Sequence, residues 1–235
     1  MPHPLGSRTA SALVEGLYPP VCLGCGAPGQ AGMDLCPGCA RELPLAVHAC
    51  RRCARPLPAA AGPVCGDCLR HPPAFDRARA ALLYRWPVDT WIARFKFRGR
   101  LNHGRLLARL MARQLLPGAQ PPDCILPVPL HRHRLAQRGF NQAAELARPL
   151  ARALQAPLVL DAVRRTRATP PQQSLCADRR RRNLRGAFVV RAGFAPGHVL
   201  LVDDVMTTGS TLNELARQLK AAGVRQVEVW VAARA

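Results

Sequence analysis

Residues Val199–Thr211 read VLLVDDVMTTGST, and this stretch decides how the chain folds. Four consecutive aliphatics, Val199–Val202, fit a strand buried on both faces of a parallel sheet. They end in two adjacent carboxylates, Asp203 and Asp204, followed by a turn rich in Thr, Gly and Ser. From Thr211 the pattern turns helical, with Leu212, Leu215, Ala216, Leu219 and Ala222 at helical spacing and Gly223 as a stop. Val224–Val231 then alternates as a second strand. The spacing predicts a βαβ unit whose polar residues sit at the carboxyl end of a strand, where ligands bind in such sheets.

The turn itself reads as a cradle for a sugar phosphate. Thr207, Thr208, Gly209, Ser210 and Thr211 would aim backbone N–H groups and short hydroxyls at an anion, helped by the positive end of the following helix. A side chain at position 209 would hold the backbone away from that anion. Asp203 and Asp204 are poor company for a phosphate but good acceptors for a vicinal diol, so a phosphorylated ribose fits. Two plainer readings compete. A magnesium strand of the Walker-B kind needs a G-x-x-x-x-G-K-[ST] partner, and neither lysine of the chain, Lys96 or Lys220, follows a glycine. A merely structural cap explains one Ser or Thr, but not paired acids together with Gly209.

At 235 residues the chain can hold one ordinary core and a small satellite domain. Apolar residues make up 49%, as in globular proteins, and no uninterrupted apolar run is long enough for a membrane span. The N-terminus, MPHPLGSRTASALVEGLYPP, has Pro, Gly and Glu where a signal peptide needs a continuous apolar core, so a cytoplasmic protein is expected. The formal charge is +20, and arginine supplies nearly all the basic residues. Its planar fork suits phosphates and base stacking, so clustered arginines would mark a nucleic-acid surface. Scattered arginines would reflect only a GC-rich genome.

Eight of the ten cysteines fall in four C-x-x-C pairs, Cys22/Cys25, Cys36/Cys39, Cys50/Cys53 and Cys65/Cys68. A two-residue gap lets both thiolates of a knuckle reach one tetrahedral ion, and Gly24, Gly26, Gly38 and Gly66 permit the tight turns. The repeated spacing predicts tandem ribbons holding about two structural Zn²⁺, with sequential pairing favoured over a cross-braced arrangement. Disulfides would need an oxidising compartment. Cys124 and Cys176 stand alone and read as ordinary buried or loop cysteines. The expected organisation is an N-terminal segment (1–20), a double ribbon (21–70), a linker at 71–78 opened by His71-Pro72-Pro73, and an α/β domain (79–235).

Within that last domain, Ala80–Tyr84 reads as a strand, Val88–Phe95 as a helix start and Leu106–Leu116 as an amphipathic helix. Ile125–Leu130 is a strand interrupted by prolines, and Asn141 is a candidate N-cap for a helix carrying Leu146, Leu150 and Leu154. Pro157–Val163 and Ala187–Arg191 read as further strands. Arg164–Arg185 contains eight arginines and few apolar residues, so it cannot bury itself and reads as a mobile loop.

The motifs PVPL, RGFNQ, Thr169–Gln172, Arg180–Leu184 and Gly186–Phe188, followed by VDDVMTTGST and preceded by the cysteine ribbons, resemble those of the ComF/GntX family in their order. The resemblance covers about residues 17–235. It implies a type I phosphoribosyltransferase-like parallel sheet flanked by helices, preceded by a small double zinc ribbon. It also implies phosphoribosyl diphosphate (PRPP) or a related ribose phosphate as ligand, bound with Mg²⁺. By position, Asp203 and Asp204 would hold the ribose hydroxyls and Thr207–Thr211 the 5′-phosphate. Arg138, Lys96, Arg179 and Arg180 are candidates for the diphosphate or a closing lid, and no general base is evident. The reaction would displace diphosphate through an oxocarbenium-like centre, by positioning and charge alone. The family further implies a part in DNA uptake with single-stranded DNA and a competence helicase as partners. On that rival reading the scaffold binds without catalysis, and Arg179–Arg182 touch the phosphate backbone. A solvated charge run is the plainest reading of the same arginines.

Overall fold

The computed structural model describes residues 19–30, 32–167 and 186–235. Their contacts gather into two compact units, one reaching to Leu43 and the other running from Pro44 to Ala235. The first unit is a ribbon. Antiparallel bridges Val21↔Pro28 and Gln30↔Met33 lead to helix α1 (Pro37–Arg41), whose N-cap Cys36 accepts from the Cys39 N–H at 3.4 Å. Leu35, just before it, is fully buried.

The second unit begins by repeating that pattern. Cys50 N–H donates to the Arg55 carbonyl and Ala54 N–H to the Cys50 carbonyl, as Cys22 and Gly26 do to Ala27 and Cys22 in the first ribbon. The repeat extends to backbone conformation. Gly26 has φ +81° and its counterpart Ala54 has φ +54°, so the second copy holds an alanine in the left-handed region that the first gives to glycine. Helix α2 (Gly66–Arg70) closes this ribbon.

After α2 come strand β1 (Arg77–Leu83), helices α3 (Val88–Arg98) and α4 (Leu101–Leu115), strand β2 (Cys124–Pro127), and helices α5 (Arg132–Arg138) and α6 (Gln142–Leu154). Strands β3 (Val163–Arg165), β4 (Phe188–Val190) and β5 (His198–Met206) follow, and helix α7 (Ser210–Ala221) precedes β6 (Gln226–Arg234). The main sheet has the order β1-β6-β5-β2 with every pair parallel, as its continuous aliphatic strands require. Helix α7 buries Leu212, Leu215, Ala216 and Leu219 against Val199, Leu201, Val227 and Val229 on one face. The opposite face buries Leu200, Val202 and Trp230, and helices α3, α4 and α6 bury Trp91, Ile92, Phe95, Leu107 and Leu146. Truncating a fully buried residue such as Leu215 to alanine would cost about 2–5 kcal/mol.

Two strand expectations change, and the second ribbon is bonded to the sheet, so contacts group it with the chain from Pro44 onward. Ala78 N–H donates to the Arg51 carbonyl at 3.1 Å, Leu83 N–H to the Pro44 carbonyl at 2.7 Å, and Leu45 bridges Leu82. Pro157–Val163 is not one strand: Leu158 makes a single parallel bridge to Ile125, and Val163–Arg165 instead pairs antiparallel with Phe188–Val190. The Ile125–Leu130 strand ends at Pro127, because Pro129 lacks an N–H for the ladder. Arg179, Arg180, Cys176, Thr169–Gln172 and Arg180–Leu184 lie outside the described residues.

Candidate functional site

Strand β5 sits in the middle of the sheet and delivers Asp203 and Asp204 at its carboxyl end. Their surroundings differ. Asp204 is 6% exposed, and Lys96 Nζ, reaching over from α3, lies 2.9 Å from its Oδ1. Asp203 is half-buried, and its Oδ1 accepts from the Asp204 N–H at 2.9 Å. Burial and the neighbouring Asp204 charge push the Asp203 carboxyl up to about 7, against the pull of Lys96 and Arg165.

Two arginines flank the acids. Arg138, at the end of α5, donates from Nη1 to Gln142 Oε1 at 2.9 Å and lies 5.2 Å over the Phe97 ring. Burial lowers its pKa, while the charges of Asp204 and Asp203 oppose that. Arg165 on β3 is likewise lowered by burial and feels Asp203. Its guanidinium stacks 5.6 Å from the Phe188 ring on the partner strand. Sequence reading placed Arg165 in the mobile arginine loop and missed this position. The signal was there: Ala162-Val163 before the run and Ala187-Phe188 after it are apolar pairs that could clamp its two ends.

The turn after β5 centres on Gly209. Its φ is +75°, and a Cβ there would meet Met206 Sδ at 3.2 Å. Thr207 and Thr208 are exposed, and Gly209, Ser210 and Thr211 are half-exposed. Thr208 Oγ1 pairs with Ser210 Oγ at 2.8 Å and accepts from the Ser210 N–H at 3.4 Å. Helix α7 starts at Ser210 with no side-chain cap of its own at Gly209, which leaves a positive helix end beside small hydroxyls.

Thr208, Gly209 and Ser210 open on a cleft of about 590 Å³ whose opposite wall is the second ribbon. Cys53, Arg55, Cys68 and His71 come from that wall, with Arg217 and Arg234 at its edges. The three arginines already have partners: Arg55 pairs with Asp67, Arg217 Nη1 with Glu214 Oε2 at 2.5 Å, and Arg234 with main-chain carbonyls. The ribbon's part in this cleft was not legible in the sequence, where the second ribbon and the turn are far apart.

The cysteines form two four-sulfur clusters, Cys22/Cys25/Cys36/Cys39 and Cys50/Cys53/Cys65/Cys68, with the ligand atoms of each within 4.8 Å of one another. Cys25 and Cys36 sulfurs are 3.7 Å apart, as are those of Cys53 and Cys65. Four sulfurs about 2.3 Å from a central ion would be about 3.8 Å apart, so the donor set fits tetrahedral Zn²⁺. The main chain favours thiolate. Burial raises Cys22, but N–H groups of Cys36, Cys25 and Gly24 outweigh it and bring the thiol to about 6. Burial likewise raises Cys50, and N–H groups of Cys65, Cys53 and Arg52 bring it to about 7. Cys39 is raised by sharing protons with Cys25 and Cys36, and Cys68 by burial and by Cys53. All nine described cysteines are free, and burial pushes the lone Cys124 up to about 11. No helix among the described residues is long and apolar enough to cross a membrane.

Comparison with known proteins matches both halves of this arrangement. Residues 13–69 match the double zinc ribbon domain, and residues 138–235 match the phosphoribosyl transferase domain. Competence protein F of Haemophilus influenzae is 40% identical over 179 residues, covering 73% of this chain and 78% of that protein. DNA utilization protein YhgH of Escherichia coli K12 is 40% identical over 175 residues, 72% of this chain and 77% of that one. Competence protein ComFC of Streptococcus pneumoniae is 26% identical over 153 residues, 65% and 66% of the two chains.

Proposed function

We propose a ribose-phosphate function for this chain, which belongs to the ComF family of competence proteins: it binds PRPP, or a related ribose 5-phosphate, together with Mg²⁺. One observation supports this most. A central parallel strand delivers Asp203 and Asp204 and runs directly into a Gly209-centred turn at a helix start, while Lys96, Arg138 and Arg165 gather around the acids. In this reading Asp203 and Asp204 accept from the ribose hydroxyls, and the amides and hydroxyls of Thr207–Thr211 hold the 5′-phosphate. Asp203 is the open acceptor, and Asp204 becomes available as Lys96 yields it.

Mg²⁺ bound with the ligand would offset the charge of its diphosphate. Arg138 and Arg165 add fixed positive charge on the same side, where a departing diphosphate would need it. No side chain is required as nucleophile, because the ribose carbon carries the developing charge itself. The experiment is a thermal-shift series with Mg²⁺. PRPP and ribose 5-phosphate should stabilise the chain while ribose does not, and equal shifts with all three would remove the phosphate turn from the reading. Release of diphosphate from PRPP, with nucleobases offered as acceptors, separates an enzyme from a binding protein.

A second function is favoured by a separate observation, and it lies on the helical face. Residues 90–122 contain no acid but seven cations: Arg94, Lys96, Arg98, Arg100, Arg105, Arg109 and Arg113. Arg105 and Arg109 on α4, with Arg148 and Arg152 on α6, border a groove of about 480 Å³ floored by Phe95, Leu101, Ala108 and Pro149. Its one acid, Glu145, is paired with Arg148. Such a groove suits the phosphate backbone of single-stranded DNA, and the reading keeps a competence helicase as partner and the cytoplasm as location. Fluorescence anisotropy with an oligonucleotide should show affinity falling steeply with salt, and a shallower slope after Arg109→Gln and Arg152→Gln. An unchanged slope would move the DNA elsewhere on the chain.

A further inference from the structure

Arg234 ends β6 opposite Met206, the last residue of β5, and is only 6% exposed. A buried guanidinium is tolerated when its donors find acceptors, and here the acceptors are main-chain carbonyls. Nε donates to the Cys53 carbonyl at 3.0 Å and Nη1 to the Met206 carbonyl at 3.0 Å, with Ala235 O a further acceptor. Cys53 belongs to the second four-sulfur cluster, and Met206 immediately precedes the phosphate turn. One rigid fork thus joins the backbone of a metal knuckle to the backbone that carries Thr207.

Charge reinforces the tie. Four thiolates around one divalent zinc ion sum to about −2, which is a suitable counter-charge for a cation withdrawn from water. Burial lowers the Arg234 pKa, whereas negative charge at Cys53 and Cys65 raises it. One other contact carries the ribbon's position to the same region: Ala74 N–H, just beyond the ribbon, donates to Asn213 Oδ1 on the first turns of α7 at 2.7 Å. Within the turn, a Cβ at Gly209 would lie 3.2 Å from Met206 Sδ, so the residue that Arg234 holds also packs under the glycine. Lysine at 234 would keep the charge, but as a single ammonium it would not reproduce the fork that spans both carbonyls.

We propose that Arg234 is a positioning residue through which the loaded second ribbon holds the phosphate turn in its anion-binding shape. The inference rests on the ribose-phosphate reading only for its ligand; the mechanical tie stands on the hydrogen bonds. The second ribbon is then a wall of the proposed sugar-phosphate site, and its metal is a condition for binding there.

Hydrogen exchange of the full chain tests this directly, read over Thr207–Glu214 with Val199–Val202 as the internal reference. In zinc-loaded Arg234→Lys, turn exchange is expected to rise about tenfold and PRPP affinity to fall about tenfold, while both zinc ions and strand protection remain. Cys68→Ser, which removes a sulfur without touching Arg234, is expected to lose one zinc ion and loosen the same turn. The tie is overturned if Arg234→Lys leaves turn exchange at the wild-type rate, or if Cys68→Ser loses its metal and the turn does not respond. Should Arg234→Lys fail to fold, Cys68→Ser alone decides. A wild-type chain that gives no heat with PRPP would sink the ribose-phosphate reading, and turn exchange would still settle the tie.

Discussion

Lys96 Nζ lies 2.9 Å from Asp204 Oδ1, and the two side chains are only 21% and 8% exposed. The lysine on α3 therefore holds the carboxylate that a ribose hydroxyl would contact. Removing it strands a buried charge beside a second acid. Lys96→Met should destabilise the chain by about 3 kcal/mol, the lower end for a broken buried pair because Lys96 keeps some contact with water. Urea unfolding of a double-mutant cycle with Asp204→Asn measures this, and most of the loss should be recovered in the double variant. A fully additive cycle would mean that the pair is not coupled.

Asp203 gives the ligand-free protein a defined pH response. Its folded carboxyl is raised to about 7 from the ordinary 3.8, so the folded chain holds an extra proton between those values. Stability must then fall as pH rises through that window, and the affinity for a diol should grow as Asp203 ionises. Asp203→Asn should flatten the Asp203 contribution to the slope between about pH 4 and pH 7. An identical slope in the variant would place the proton on another group.

Gly209→Ala puts a side chain at φ +75° and 3.2 Å from Met206 Sδ. The left-handed backbone alone costs about 1–2 kcal/mol, and the new methyl pushes the turn away from any anion. The expected result is a modest loss in urea midpoint with a much larger loss of ribose 5-phosphate binding. Equal, small effects on both would show that the turn does not meet a phosphate.

The zinc clusters should load with proton release. Neighbouring sulfurs and burial hold Cys39 and Cys68 above the ordinary thiol value, so four-thiolate coordination must displace their protons. Calorimetry in buffers of different ionisation enthalpy should show protons leaving as Zn²⁺ binds, with apparent affinity rising with pH. Metal analysis should give about two zinc ions per chain. Loading without proton release would mean that the thiols are not the ligands.

Much of this was legible because it depends on local pattern. The aliphatic run Val199–Val202, the paired acids and the Gly209 turn define strand, candidate site and helix start within thirteen residues. The C-x-x-C spacing likewise predicts which sulfurs share a site, because knuckle and hairpin are short-range structures. Contacts between distant segments were not legible. Lys96 was a candidate for the diphosphate or a lid, but its pairing with Asp204, more than a hundred residues on, appears only once α3 is packed in the fold. Arg234 lies beyond the expected Val224–Val231 strand, and only folding sets it between Cys53 and Met206. The packing of the second ribbon on the sheet was hidden for the same reason: a proline pair marks the end of the ribbon, but the hydrogen bonds from Ala78 to Arg51 and from Leu83 to Pro44 join segments that the sequence keeps apart.

The most direct trial of the sugar-phosphate turn is isothermal titration of PRPP, in the presence of Mg²⁺, into the zinc-loaded chain and its Asp204→Asn variant. Saturable binding of one ligand per chain by the wild type, abolished or greatly weakened in the variant, is expected. A wild-type chain that takes up neither PRPP nor ribose 5-phosphate would contradict it.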